Sequence, residues 1–334
     1  MPSKSSVKPG PRKVIVGTTM HNMFLPYPGL EARLAELVGL VDRMAVEAAT
    51  RYAGARLDIA VFPEAAVNGG KHGTAAEVSF PMEGSVQEVL GAKAREHGCY
   101  LVVPLFLTED AERGIYTNAA VLLDRVGDIA GIYRKIFAVV DSGSETAEGG
   151  VTPGTDVSVF ECDFGRVGIQ ICFDMAFDEG WEALRRQAAE LICWPTQWPG
   201  QIHAARRALE GQCFVLSSTW RNNASLLDPT GHLLREIRTD GVLVEQIDLD
   251  FAILHWQPAL RNGKIFAETF GERAGFRYSE AEDSGIFWSN DPALPIAEMV
   301  RVLGLETRPE ALARCRQVLN TLRGGPPRLM QETV

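Results

Sequence analysis

The sequence predicts a layered α/β domain with a mixed sheet. Three observations carry that reading. Strand-like and helix-like runs alternate through most of residues 14–250, with hairpin turns interspersed. The strand-like runs are apolar and the helix-like runs between them amphipathic, which implies sheets covered on one face by helices and on the other by more β structure. No internal repeat of solenoid length is visible.

Residues 14–18 read as a short strand. Residues 30–53 read as a helix, because Leu34, Leu37, Val38, Val41 and Ala45 recur at helical spacing. Residues 57–62 form an apolar strand that stops abruptly at Pro63-Glu64. A helix over 86–97 ends at Gly98, a C-terminal stop, and 99–107 is a second buried strand. Strands over 118–123 and 128–135 are separated by a turn at 125–127. After the 141–154 loop come strands over 157–162 and 166–173, joined by the turn Asp163-Phe-Gly165. A helix over 178–189, a strand over 190–194, a helix over 202–211 and a strand over 213–218 continue the alternation. Residues 224–227, 232–237 and 242–247 read as a three-strand antiparallel meander with a turn at Asp228-Pro-Thr-Gly231. From about residue 262 regular periodicity fades, before helices over 295–303 and 309–323 and a loose tail from Gly324. The expected organisation is a flexible tail over 1–11, a main domain over 12–255, and an extension over 256–334 that packs on the domain or on a partner subunit.

The chain has 334 residues, 46% of them apolar and 23% charged, which suits a soluble globular protein with a large core. Its net charge of −10 argues against broad nucleic-acid binding, which needs a basic face. The cysteines at 99, 162, 172, 193, 213 and 315 include no CxxC pair and no Cys/His cluster at zinc-like spacing, so no metal is expected and the thiols read as reduced, in a cytoplasmic protein. The basic, Pro/Ser-rich start MPSKSSVKPGPRK lacks the apolar region of a signal peptide, and no apolar run approaches the length of a membrane span.

Cys172 stands at the end of VGIQICFD, where alternation puts Val167, Ile169, Ile171 and Phe173 on one face and Gly168, Gln170, Cys172 and Asp174 on the other. A thiol between a strand and a helix sits among free backbone N–H groups, an arrangement that can favour a thiolate and a developing oxyanion. Most intracellular cysteines are simply small buried hydrophobes. Two further segments change the balance. IAVFPE ends a buried strand in Glu64, and IAGIYRK ends another in Lys135. Either residue by itself is an ordinary surface group. A Glu, a Lys and a Cys each closing a buried strand in one chain form a set.

In order and setting this set resembles the nitrilase, or carbon–nitrogen hydrolase, superfamily, which uses a Glu–Lys–Cys triad. FPEAAVNGG, TNAAVLLDRVGDIAGIYRK and VGIQICFDMAF add to the match, as do HAARRALEGQCFVLSST and the hairpin LLDPTGHLL…GVLVEQIDL, together covering about residues 12–250. The resemblance implies a four-layer αββα sandwich with a C-terminal extension, and symmetric homodimers or higher oligomers formed through helices near the nucleophile. It implies Cys172 as nucleophile, Glu64 as general base, and Lys135 as the cation that stabilises developing charge, helped by the Phe173 backbone N–H. A second Glu before Pro153-Gly154 is also implied: Glu148 is the closer candidate and Glu145 the alternative. No cofactor is expected.

Asp174, two past the cysteine, resembles the amidase and carbamoylase branches more than true nitrilases. Phe173, Thr196, Gln197 and Trp198 are expected to bind substrate, Trp194 to pack in the core and His203 to lie on the surface. Other enzyme classes lack their motifs: there is no GxGxxG after a strand, no P-loop, no HExxH and no GxSxG. The expected activity is hydrolysis of a small linear amide. A ureido (N-carbamoyl) acid or a nitrile is the alternative substrate, and Lys71 or Arg206 would hold a ureido acid's carboxylate. A non-catalytic binding or assembly role is the alternative from another class.

Overall fold

The structure, a computed structural model, describes residues 10–327. The expected N-terminal tail therefore lies, up to residue 9, outside the described residues, and so does the chain beyond 327. Two compact units are present among the described residues: Lys13–Leu249, and residues 250–327 together with 10–12.

In the first unit the order is β1 (Lys13–Met20), α1 (Leu30–Arg51), β2 (Ile59–Val61), α2 (Ala75–Val78), α3 (Ser85–His97), β3 (Tyr100–Asp110), β4 (Ile115–Leu123) and β5 (Ile129–Arg134). Then come β6 (Phe160–Cys162), β7 (Gly165–Ile169), α4 (Glu179–Arg186), β8 (Leu191–Thr196), α5 (Gln201–Gly211) and β9 (Phe214–Thr219), followed by β10 (Ala224–Leu227), β11 (Leu233–Ile237) and β12 (Gly241–Asp248). Strands β12-β1-β2-β3-β4-β5 make one sheet and β11-β10-β9-β8-β7-β6 the other. The two sheets are joined at the register pair Met20–Thr219.

Side-chain alternation makes four layers of these elements. Leu34, Leu37, Val41 and Met44 of α1, with Val86 and Leu90 of α3, pack on Ile15, Ala60, Leu101 and Val121 of the first sheet. Trp181 and Leu184 of α4, with Ala204 and Ala208 of α5, pack on Ile192, Trp194 and Val215 of the second. The intervening strand residues, among them Val14, Val16, Ile59, Val61 and Val102 on one sheet and Leu191, Cys193, Phe214 and Leu216 on the other, are equally buried. They point away from the helices, so the sheets face each other as an αββα sandwich. Each large aliphatic side chain so buried is worth about 2 kcal/mol relative to exposure. Helix α3 ends as expected, with Gly98 in the left-handed conformation.

The expected meander is corrected. β10 and β11 form its hairpin, but β12 runs antiparallel along the whole of β1, in the other sheet. Period-2 alternation identifies a strand without naming its partner.

The second unit holds β13 (Phe251–His255), α6 (Lys264–Phe270), β14 (Ala274–Ser279), β15 (Ser284–Ser289), α7 (Ile296–Val302) and α8 (Arg308–Arg323). Its strands form an antiparallel sheet in the order β13-β15-β14. Those last two strands fall where periodicity fades in the sequence. Gly275 and Gly285 explain the loss: a Cβ at Gly275 would lie 2.3 Å from the Trp288 ring, so glycine replaces a patterned side chain where packing is tightest. The aromatic residues of this segment also need no borrowed surface. Phe266, Phe270 and Phe287 are buried with Leu254, Leu260, Ile296 and Met299 in the unit's own core, and Phe276 stacks on Phe287. Among the described residues no helix is long and apolar enough to cross a membrane.

Candidate active site

Glu64 leaves the end of β2 and Lys135 the end of β5; each residue is only 2% exposed. Lys135 Nζ lies 2.8 Å from Glu64 Oε1 and 2.5 Å from Glu148 Oε1. Asn118 of β4 donates from Nδ2 to both carboxylates, at 3.0 Å to Glu64 and 2.8 Å to Glu148. Burial favours the neutral amine of Lys135, but the two carboxylates outweigh it and raise the pKa above that of an ordinary lysine. The ammonium is thus locked on, and Lys135 cannot act as a base. Glu148 reaches inward from a left-handed residue, φ 45°, followed by Gly149 and Gly150, and its backbone N–H donates to the Val139 carbonyl. Glu145 is exposed.

The cysteine segment departs from expectation. The strand predicted over 166–173 ends at Ile169, and Cys172 opens a single turn of 3₁₀ helix, Cys172–Ala176, with φ +42°. Asp174 is the cause. Its carboxylate accepts the Ile171 N–H at 2.9 Å, the Phe137 N–H at 2.9 Å and the Tyr133 hydroxyl at 2.7 Å, which takes the chain out of the ladder and ties the turn to the segment after Lys135. Nor does this turn favour a thiolate. Burial, reinforced by the Glu64 charge, pushes the Cys172 thiol up to about 12, against the pull of Lys135, the Thr196 hydroxyl and the Gln197 N–H. Burial and the Glu64 charge thus favour the neutral thiol over the thiolate.

Two indoles fix the backbone on either side. Trp194 Nε1 donates to the Cys172 carbonyl at 3.2 Å and Trp220 Nε1 to the Glu64 carbonyl at 2.7 Å. Trp194 is fully buried, as core packing requires, and has this additional role. Arg207 of α5, itself buried, donates to the Met175 and Phe177 carbonyls and holds the turn from below.

Glu64, Lys135, Glu148 and Cys172 line one cavity of about 540 Å³, together with Gln197 and Trp198. Thr196 and the Phe173 ring are not part of the lining. Thr196 is fully buried behind the thiol on which its hydroxyl acts and bonds both backbone groups of Trp198, while Phe173 packs edge-on against Phe177. Lys71 lines the cavity; Arg206 lies on the outside of α5, paired with Glu210 and Asp178. His203 is exposed, its ring against Trp198. Asn118, Tyr133, Trp220, Arg207 and Arg221 escaped the sequence reading. The signal for Asn118 was a lone amide inside the apolar strand TNAAVLL.

Asp174 gives a testable consequence. Burial, opposed by its backbone and Tyr133 hydrogen bonds and by Lys135, raises its pKa to about 6. The folded state therefore binds a proton there more tightly than the unfolded chain. The resulting stability is fully present below the unfolded pKa of about 4 and is lost as pH rises through 6. Asp174→Asn removes this dependence: the stability advantage of the wild type over the variant in urea unfolding is expected to shrink by up to about 3 kcal/mol between pH 4 and 7. A pH-independent difference would contradict the assignment. The amide oxygen keeps the Ile171 N–H and the Tyr133 hydroxyl, which turns its NH2 toward the Phe137 N–H and loosens the tie to the segment after Lys135, so kcat should fall with little change in KM.

The fold is that of the nitrilase-like αββα sandwiches. It resembles the crystal structure of an amidase from Nesterenkonia sp. with a TM-score of 0.60 at 19% identity, covering 74% of this chain and 95% of that one. Residues 26–253 match the family described as carbon-nitrogen hydrolase, and the chain belongs to that family. It is 29% identical over 158 residues to the nitrilase and fragile histidine triad fusion protein of Drosophila melanogaster, covering 41% of this chain and 34% of that protein. It is also 29% identical over 151 residues to a deaminated glutathione amidase of Yersinia enterocolitica, covering 41% of this chain and 52% of that protein. The matches thus span about half or less of these two relatives.

Proposed function

We propose that this protein hydrolyses the C–N bond of a small linear amide through a covalent Cys172 acyl-enzyme. One observation carries the reading. Glu64 Oε1 is committed to Lys135 and Asn118, while Oε2 is buried without a hydrogen-bond partner in the cavity that also holds the Cys172 thiol. A buried carboxylate oxygen with no hydrogen-bond partner among the described residues, on a side chain that lines the same cavity as the thiol, supports Glu64 as the proton acceptor.

In the proposed reaction Sγ attacks the amide carbon as its proton passes to Glu64. The charge that develops on the substrate oxygen is met by the Lys135 ammonium and the Phe173 backbone N–H. Collapse of the tetrahedral adduct breaks the C–N bond, and Glu64 returns the proton to the departing amine or ammonia. Water then attacks the thioester, giving up a proton to Glu64, which passes it to the departing sulfur as the C–S bond breaks; the carboxylic acid, the Cys172 thiol and the free Glu64 carboxylate result. Glu148 and Asn118 keep Lys135 and Glu64 in place. No cofactor takes part. Names among the relatives, including N-carbamoylputrescine amidase and 2-oxoglutaramate amidase, support amide or carbamoyl chemistry, although others carry the name nitrilase. A non-catalytic role would leave the unpartnered carboxylate oxygen without a use. The same reading includes a homodimer formed through α4 and α5, where Ile202 and Leu209 are exposed; a monomer in light scattering would exclude it.

The test is ammonia release from a panel of amides, ureido acids and nitriles, with intact-mass detection of the thioester on Cys172. Release from amides with a trapped adduct is the expected result. Turnover of nitriles alone, or amide turnover unchanged in Glu64→Gln, would overturn it.

A further inference from the structure

We infer that the cavity selects amides whose far end carries a carboxylate, held by Lys71 and Arg221; this rests on the amidase reading above. The chain has a net charge of −10, yet apart from Glu64, Lys135, Glu148 and the Cys172 thiol every charged or titratable residue lining the cavity is basic: Lys71, His72 and Arg221. These sit at its outer end, with Lys71 half-buried and His72 and Arg221 exposed, whereas Glu64 and Lys135 close the buried end.

Neither cation has a counter-ion. Among the described residues no carboxylate comes within ion-pair distance of Lys71 or Arg221, while Arg125, Arg134 and Arg207 are all paired. The carboxylate that Lys71 influences most directly, Glu77, is committed to the Thr74 cap of α2, at 2.8 Å to the backbone N–H and 2.9 Å to the hydroxyl. Both cations instead rest over aromatic faces. Lys71 Nζ is 4.4 Å from the Phe80 ring centre, and the Arg221 guanidinium is 5.7 Å from that of Phe24. A cation–π contact positions a charge without neutralising it. Phe24 in turn meets Trp220 edge-on, and Trp220 holds the Glu64 carbonyl, so the Arg221 end and the base are mechanically linked. Val78, Phe106 and Val139 supply apolar wall. The substrate this describes has an amide at the buried end, a hydrocarbon spacer and a carboxylate at the mouth. Mono-amides of dicarboxylic acids and N-carbamoyl amino acids share that chemistry.

Calorimetric binding to the Cys172→Ala protein separates this inference from the hydrolase reading, because it needs no turnover. The probes are the mono-amides of four-, five- and six-carbon dicarboxylic acids, each against its neutral diamide, with N-carbamoyl-β-alanine as the ureido arm. At least one anionic probe is expected to bind tenfold or more tightly than its neutral counterpart, with the preference shrinking in high salt. Lys71→Met with Arg221→Met, which keeps the apolar stems, should bring each pair within about twofold and leave diamide affinity unchanged. Equal affinities within every pair, no binding by any probe, or a preference that survives the double substitution would overturn the proposal. Turnover by the wild-type enzyme judges the amidase reading separately.

Discussion

Lys135→Met is expected to remove activity and a large share of the stability together. The ammonium is buried between two carboxylates, with Lys135 only 2% exposed. Without it Glu64 and Glu148 share only the Asn118 amide between them. Removing one partner of a buried ion pair costs about 3–5 kcal/mol, because the uncompensated charge is left behind. Loss of transition-state charge stabilisation should lower kcat by roughly 10³-fold. Adding Glu148→Gln to Lys135→Met removes one of the stranded charges, so stability should partly return while activity does not. Urea unfolding and ammonia release read the two effects separately. A single variant less stable by under about 1 kcal/mol would show that the triad is not electrostatically coupled as the geometry implies.

The second large effect is at Cys172. Cys172→Ala should abolish turnover and leave the fold intact, since it deletes the nucleophile and little volume. Cys172→Gly should be equally inactive and yet more stable than the alanine variant, by about 1 kcal/mol. The φ of +42° strains any residue with a Cβ, and glycine alone adopts it freely. By contrast Cys99→Ala and Cys193→Ala, both fully buried, should lower stability more than rate. Thermal melts and activity of the four proteins make the comparison; a glycine variant less stable than the alanine one would mean that the turn carries no strain.

Much of this site was legible in the sequence because burial and chemistry coincide at strand ends. An apolar run that stops in Pro-Glu or in Arg-Lys is conspicuous, so Glu64 and Lys135 stand out, and the loop before Pro153-Gly154 narrowed the second glutamate to two positions. The backbone around Cys172 was not legible. No glycine or proline marks the left-handed residue there, and the hydrogen bonds of Asp174 that end the strand are tertiary. Arg221 was hidden for a related reason: its lack of an ion-pair partner among the described residues is set by the tertiary fold and not by its sequence neighbours. The pairing of β12 with β1 and the strands of the second unit depend on partners distant in sequence or on glycines that break the pattern.

Glu64 and Lys135 hang from the ends of β2 and β5, on one sheet, whereas Cys172 and Thr196 follow β7 and close β8, on the other. The gap a proton must cross is therefore gauged by the filling of the sandwich. Val16, Val61, Ile169 and Leu191, all buried between the sheets, act as shims whose thickness sets the separation of Glu64 and Cys172. A methyl group added or lost among them would retune the rate without altering which substrate is preferred. On the proposed mechanism, rate is then governed from the driest residues of the fold and substrate preference from the wettest.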